Sequence, residues 1–288
     1  MRREAQQPSQ WHRNTAWSRL KSAHKMRWDR LFALSLVMAF STPAVAQGAA
    51  ETESPLIATP SSPKPGAPDE LGSMIAGILG EIDDRWSEVF QASGQSYTGP
   101  KIVLFRNATN GGRCGMAQAA MGPFYCAPDR KIFLDTGTFK EIETRLNGCS
   151  GNACKFTAAF MIAREAGHHV QNLLGILPRV AQVQKQSDNK AVSNALQVKV
   201  ELQADCMAGL WANLEEKKRP GFVETGDIEA VLKTVSGLGD DTIQRLATGR
   251  VVPDSFTTGS SEQRKRWFMI GYQEGTLKAC NTFGAEKL

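Results

Sequence analysis

The chain has 288 residues, with 34 Lys and Arg against 29 Asp and Glu and a formal net charge of +5. That length accommodates one large domain or two small ones. Residues 1–46 hold eight of the basic and two of the acidic side chains, so the remainder carries 26 against 27 and a charge of −1, which leaves no charge signature for nucleic acid.

In chain order, the first feature is Leu31–Phe40 (LFALSLVMAF), an apolar run that follows basic residues and precedes Ala44-Val45-Ala46. The last three form the small-x-small pattern that signal peptidase reads. We therefore read residues 1–46 as an export signal. Met26 followed by RWDR makes an n-region of ordinary length, so translation is expected to start at Met26. A membrane span needs roughly 20 apolar residues; residues 31–40 are too few, and an uncleaved signal would act only as a weak membrane tether. The expected location is periplasmic or extracellular.

Residues 47–69 (QGAAETESPLIATPSSPKPGAPD) are rich in Pro, Ser and Ala and poor in large apolar groups, so they read as a flexible tether. The folded domain is expected over 70–288.

All six cysteines, Cys114, Cys126, Cys149, Cys154, Cys206 and Cys280, follow the export segment, where oxidation is allowed. Six cysteines permit fifteen pairings. Cys149 and Cys154 are spaced to close a short loop, Cys114 and Cys126 flank a Gly/Pro turn region, and Cys206 and Cys280 remain. The alternative for Cys206 is a buried free thiol on a helix.

Leu71–Phe90 repeats apolar residues at three- and four-residue steps, as an amphipathic helix does. KIVLF (101–105) and KIFLD (131–135) are short β-branched and aromatic runs bounded by Gly, Pro and Asn, which predicts strands. Helices are predicted over 155–174 and 190–216, the second opened by Ser187-Asp188-Asn189 as cap candidates. Three more follow over 227–236, 240–247 and 262–274, with Ser260 and Gln263 fitting a capping box. No internal repeat is found. A small β-containing N-terminal half followed by a helical C-terminal half defines an α+β fold.

The chemistry-bearing residues lie on the two long helices. In the zinc-peptidase motif H-E-x-x-H, two imidazoles one turn apart grip Zn²⁺ while the Glu between them deprotonates the metal-bound water. This chain reads Arg164-Glu165-Ala166-Gly167-His168. Downstream, ELQAD places Glu201 and Asp205 on one face of the next helix. In zinc peptidases of the Glu-ligand type such a Glu is the third ligand, and the Asp orients a ligating histidine through its other ring nitrogen. Gly167, Ala204 and Ala208 are small enough to let the two helices approach closely.

With GPFYCAPDRKIFLD (122–135), EAGHHVQ (165–171), ELQADCMAGLWA (201–212), GDIEAVL (226–232), ATGRVVPDSFT (247–257), SSEQRKRWFMIGYQEG (260–275) and CNTFG (280–284), the chain resembles the bacterial neutral zinc metallopeptidases from about residue 70 to its end. The resemblance implies a zincin-like metallopeptidase fold, zinc as cofactor, His168 and Glu201 at ligand positions, Glu165 at the general-base position and Asp205 behind the ligands. It also implies a histidine where Arg164 stands and another where Thr258 stands.

No other residue replaces them. Beyond the export segment the only histidines are His168 and His169, and neighbours on a helix point about 100° apart, so they cannot chelate one ion; His169 is expected to pack or hydrogen-bond. Arg offers five donors and no lone pair, so it cannot ligate zinc. Arg164 is instead expected to pair with Glu201, and with Asp205, holding the two helices together without metal.

The functional expectation is an exported pseudopeptidase that binds a peptide or envelope protein or acts as a scaffold, with zinc binding in doubt. The alternative is an active zinc endopeptidase using His168, Glu201 and Asp205 as ligands and Glu165 as base. In RKRW (264–267), Arg264, Lys265 and Arg266 are expected to be solvated on a capped helix while Trp267, Phe268 and Ile270 pack inward.

Overall fold

The computed structural model describes residues 70–138 and 152–288; the segments expected to be an export signal (1–46) and a tether (47–69), and Cys149, lie outside the described residues. The chain order is α1 (Glu70–Ala92), β1 (Lys101–Phe105), β2 (Ala108–Asn110), β3 (Met116–Gln118), β4 (Phe124–Cys126), β5 (Lys131–Asp135), α2 (Asn152–Leu173), α3 (Ile176–Gln186), α4 (Lys190–Lys218), α5 (Asp227–Gly237), α6 (Asp240–Thr248) and α7 (Ser261–Glu274). The architecture is mixed α and β, with its small sheet in the N-terminal half.

The sheet runs β1-β5-β4. β5 is its middle strand, parallel to β1 from Lys101↔Lys131 to Phe105↔Asp135 and antiparallel to β4. Ile132, Phe133 and Leu134 are all buried, so both faces of β5 are covered. That explains its unbroken apolar run where a half-exposed strand would alternate. Phe133 stacks on Phe124 across the pair, with ring centroids 5.1 Å apart.

β2, β3, β4 and α3 were not expected from sequence. The three strands are only three residues long, too short for period-two alternation to register. α3 carries Pro178 at its third position, where the missing N–H costs nothing because the first turn has no intrahelical acceptor for it.

α2 and α4 form the centre of the molecule. α4 starts where Asn189 accepts from the backbone N–H groups of Ala191 (3.0 Å) and Val192 (3.3 Å), and Lys217 and Lys218 in its last turn complement the helix dipole. Gly167 faces Ala204 and Met207; a methyl there would lie 3.2 Å from the Met207 Cβ. α7 packs still closer on α4, since a methyl at Gly271 would sit 1.9 Å from the Cys206 carbonyl oxygen and one at Gly209 2.1 Å from that of Phe268. Around these contacts Trp86, Ile132, Phe160, Leu202, Trp211 and Phe268 are buried in one core, each worth roughly 1.5–3 kcal/mol by removal from water.

Disulfides join Cys114 to Cys126 and Cys206 to Cys280. The second ties α4 to the segment after α7, and Cys206 is not a free thiol. Cys154 is disulfide-bonded too. The capping box at α7 is present in full, Ser260 accepting from Gln263 N–H and Gln263 from Ser260 N–H. No helix among the described residues is long and apolar enough to cross a membrane.

One titratable contact helps to fix α1. The Tyr97 hydroxyl donates to Asp83 Oδ1 at 2.8 Å, and burial pushes the Asp83 carboxyl up to about 6, against the opposing pull of the Tyr97 bond. A carboxyl raised in the native state binds more protons there than in the unfolded chain, so its contribution is full below about pH 4 and is lost as pH rises through about 6. Discounted for its partial exposure, this amounts to roughly 1–2 kcal/mol. We expect urea unfolding of Asp83→Asn to lack that fall between pH 4 and 6; a parent-minus-variant difference that is flat across the window would refute the assignment.

Candidate functional site

α2 presents Arg164, Glu165 and His168 toward α4, which presents Glu201 and Asp205, while Arg264 reaches in from α7. All six lie against the same interhelical seam because 164/168 and 201/205 are each one turn apart. The Arg164 guanidinium donates to three carboxylates: Nη2 to Glu201 Oε2, Nη1 to Glu165 Oε1 at 2.7 Å, and Nε to Asp205 Oδ1 at 3.1 Å. The expected pairing with Glu201 and Asp205 is there, and the bond to Glu165 adds a third.

Asp205 is wholly buried. It was expected to orient a histidine; it accepts instead from two arginines, taking Arg264 Nε on Oδ2 at 2.8 Å and Arg264 Nη2 on Oδ1 at 3.0 Å beside the Arg164 bond. Arg264 completes its fork with Nη1 on the Leu238 carbonyl at 3.0 Å. This corrects the expectation that Arg264 is solvated: it is buried, whereas Arg266 is exposed and Lys265 pairs with Glu262 at 3.0 Å. The sequence did carry a signal, because Arg264 lies three and four residues before the buried Trp267 and Phe268 and hence on their face.

The partner that orients His168 is Gln171. The Gln171 amide nitrogen donates to the Val200 carbonyl (2.8 Å) and to Gln203 Oε1 (3.0 Å), so its oxygen faces His168 Nδ1 at 2.8 Å. That places the proton on Nδ1 and leaves Nε2 toward Glu201 Oε2 at 3.4 Å. Glu201 also accepts from Gln197 at 2.7 Å. His169 stands apart: its Nε2–H donates to the Thr98 carbonyl (2.7 Å) and its Nδ1 accepts from the Tyr125 hydroxyl (2.8 Å). It is the hydrogen-bonding histidine expected from sequence.

The charges compensate one another. Burial alone would raise Glu201, but the Arg164 guanidinium, with His168 behind it, holds that carboxyl far below the usual range. For Glu165 burial wins and pushes it up despite Arg164. Burial would lower His168, and Glu201 more than reverses this, so the imidazole is raised and favours its cationic form. Arg164 is likewise held charged, burial being outweighed by Glu201, Glu165 and Asp205. With His168 protonated, three cations face three carboxylates.

The seam opens into a cleft of about 1020 Å³ lined by Arg164, Glu165, His168, Glu201 and Arg264 and by apolar side chains that include Met121, Phe124, Phe160, Leu177 and Ile243. Thr258 lines it too, and its buried hydroxyl has no hydrogen-bond partner among the described residues. The backbone N–H groups of Thr257, Thr258 and Gly259 all donate to Asp240 Oδ2, at 2.7, 2.6 and 2.9 Å. This three-amide cradle on one carboxylate fixes the Thr258 loop against the start of α6, and neither Asp240 nor Gln171 was singled out from sequence.

These residues do not fit zinc as they stand. Arg164 has no lone pair, both oxygens of Asp205 are engaged by guanidinium donors, and Glu201 is taken by Arg164, Gln197 and His168. Among the described residues no three His, Cys, Asp or Glu side chains are grouped to hold a metal.

The two helices thus bring Glu165, His168, Glu201 and Asp205 together along one seam beside the cleft. Residues 32–283 match the profile of the family described as "Putative neutral zinc metallopeptidase", and the chain belongs to that family. It is 43% identical over 216 residues to the uncharacterized protein YpfJ of Escherichia coli (strain K12), covering 75% of this chain and 72% of YpfJ. It is 38% identical over 215 residues to the uncharacterized protein Rv2575 of Mycobacterium tuberculosis (strain ATCC 25618 / H37Rv), covering 72% and 69%. No solved structure gives a significant match.

Proposed function

We propose that this chain is an exported pseudopeptidase: a zincin-like member of the family that keeps the cleft and has exchanged its zinc for an arginine, and that binds a peptide or envelope protein without cutting it. In this reading residues 1–46 direct export, residues 47–69 tether the domain, and an uncleaved signal holds it at the membrane. One observation carries the proposal, the Arg164 guanidinium bonded to Glu165, Glu201 and Asp205. A fixed monocation in that position offers the carboxylates the charge compensation a metal would give, and no Lewis acidity.

The chemical consequence follows from pKa values. Bulk water ionises near 15.7, and only coordination to a metal brings that to about 7. Glu165 sits at the general-base position, but it has no metal-activated water to deprotonate, and one of its oxygens is tied to Arg164.

The test is zinc content, by elemental mass spectrometry after dialysis against trace zinc without chelator, for the parent and Arg164→His. We expect essentially no zinc in the folded parent and about one zinc per chain in the variant, where two imidazoles and Glu201 make a three-ligand set. Stoichiometric zinc in the parent, or chelator-sensitive cleavage of casein by it, would overturn the proposal and restore the endopeptidase reading with His168, Glu201 and Asp205 as ligands.

A further inference from the structure

α6 is amphipathic but turns its apolar residues outward. Leu246 is 83% exposed and Ile243 47% exposed, and none of the helix's residues is buried. Val251 and Val252 continue this surface, at 36% and 48% exposure. They are held there: Gln244 Oε1 accepts from Val252 N–H at 2.8 Å, Gln244 Nε2 donates to the Ser255 hydroxyl at 2.9 Å, and the Thr248 hydroxyl donates to the Arg250 carbonyl at 3.2 Å. A fixed, exposed patch of large apolar side chains marks an interaction surface more often than a chance of composition.

The patch is continuous with the cleft. Ile243 lines the cleft from α6, and Met121, 53% exposed, lines it from the turn before β4, so a ligand seated inside meets apolar side chains at the mouth and Leu246 beyond it.

Its charge has one sign. The two acids of α6 are spent on the fold, Asp240 on the three amides of 257–259 and Asp241 on the N–H and hydroxyl of Ser261 (2.7 and 2.8 Å). Asp254, the next acid along the chain, lines a separate depression with Pro253, Phe256 and Arg266. Arg245, about one 100° helical step from Leu246, and Arg250, next to Val251, are exposed and make no ion pair among the described residues. An anionic membrane surface is read by clusters of four to eight basic residues; two arginines beside a cleft suit a polypeptide better.

We propose that α6 and residues 249–252 form a docking lip for a polypeptide partner that places apolar side chains in the cleft and over Leu246 and sets acidic residues against Arg245 and Arg250. This rests on the binding reading above and names the chemistry of its ligand.

The experiment is fluorescence anisotropy on the full chain with a labelled octapeptide of alternating leucine and threonine ended by two glutamates, and with its counterpart ended by two lysines. The glutamate peptide should bind, the lysine peptide at least roughly tenfold more weakly. Leu246→Asp and the pair Arg245→Glu/Arg250→Glu should each weaken the glutamate peptide by about tenfold or more, the range of an interface anchor. Leu246 is exposed, so its substitution leaves folding intact, which the thermal melt checks. No binding, equal binding of the two peptides, or binding indifferent to both variants overturns the lip. Patch-dependent sedimentation with phosphatidylglycerol vesicles in place of peptide binding overturns it in favour of a membrane. Mass spectrometry of the recovered peptide separates the two proposals: an intact bound peptide sustains both, and a bound but cleaved one sinks the pseudopeptidase while leaving the lip.

Discussion

Arg164→Ala should cost the fold roughly 3–5 kcal/mol at pH 7, the range for leaving buried charges without their partner. The side chain is 15% exposed and its three acceptors are nearly or wholly buried, so water cannot take over its bonds without opening the seam between α2 and α4. The pH dependence has a definite sign. In the parent the folded-state value of Glu201 is depressed below its ordinary 4.5, so its contribution is present above about pH 4.5 and is lost as pH falls. Without Arg164 that depression weakens and burial raises the carboxyls instead, so the variant regains stability on acidification. The gap in urea unfolding free energy should therefore be widest near neutrality and narrow below pH 5. A gap under 1 kcal/mol at pH 7, or one that does not change with pH, would mean that Arg164 is ornamental to the fold.

The sequence made the long elements legible where one period dominated. α1, β1, β5, α2 and α4 all lie within three residues of their predicted bounds: α1 buries one apolar stripe, β5 is covered on both faces, and α4, buried on every side over 202–212, is marked instead by its cap at Asn189 and its stop before Arg219-Pro220-Gly221. It also placed Glu165, His168, Glu201 and Asp205 on facing helices, since four-residue spacing on a helix has one geometric outcome. What it could not place was the long-range partner. Gln171 orients His168 through an amide whose facing oxygen is decided by Val200 and Gln203, residues 29 and 32 positions away. Arg264 was misread because a charged run on a capped helix is usually solvated, and the exception depends on Asp205, 59 residues earlier. The Asp240 cradle closes over 17 to 19 residues of chain, with nothing in its local composition to announce it.

Arg264→Leu should be about as damaging as loss of Arg164, roughly 3–5 kcal/mol, although it lies outside both the R-E-x-x-H and the E-x-x-x-D stretches. Asp205 is 0% exposed and takes three of its hydrogen bonds from two guanidiniums; removing Arg264 leaves one oxygen of a buried carboxylate without a donor. Asp205→Leu alone should hurt comparably, because it strands Arg264, itself buried, with only the Leu238 carbonyl. The double variant Arg264→Leu/Asp205→Leu removes both charges together, so it should cost less than the two singles added, by about 2 kcal/mol or more. Additivity within about 0.5 kcal/mol would show that the pair is not energetically coupled, and that Arg264 acts through its aliphatic packing alone. Because Asp205 also accepts from Arg164, the coupled outcome would extend from α7 through Asp205 to the cleft floor. Arg164 is then one end of a buried chain of ion pairs spanning three helices, from α2 through Asp205 on α4 to Arg264 on α7.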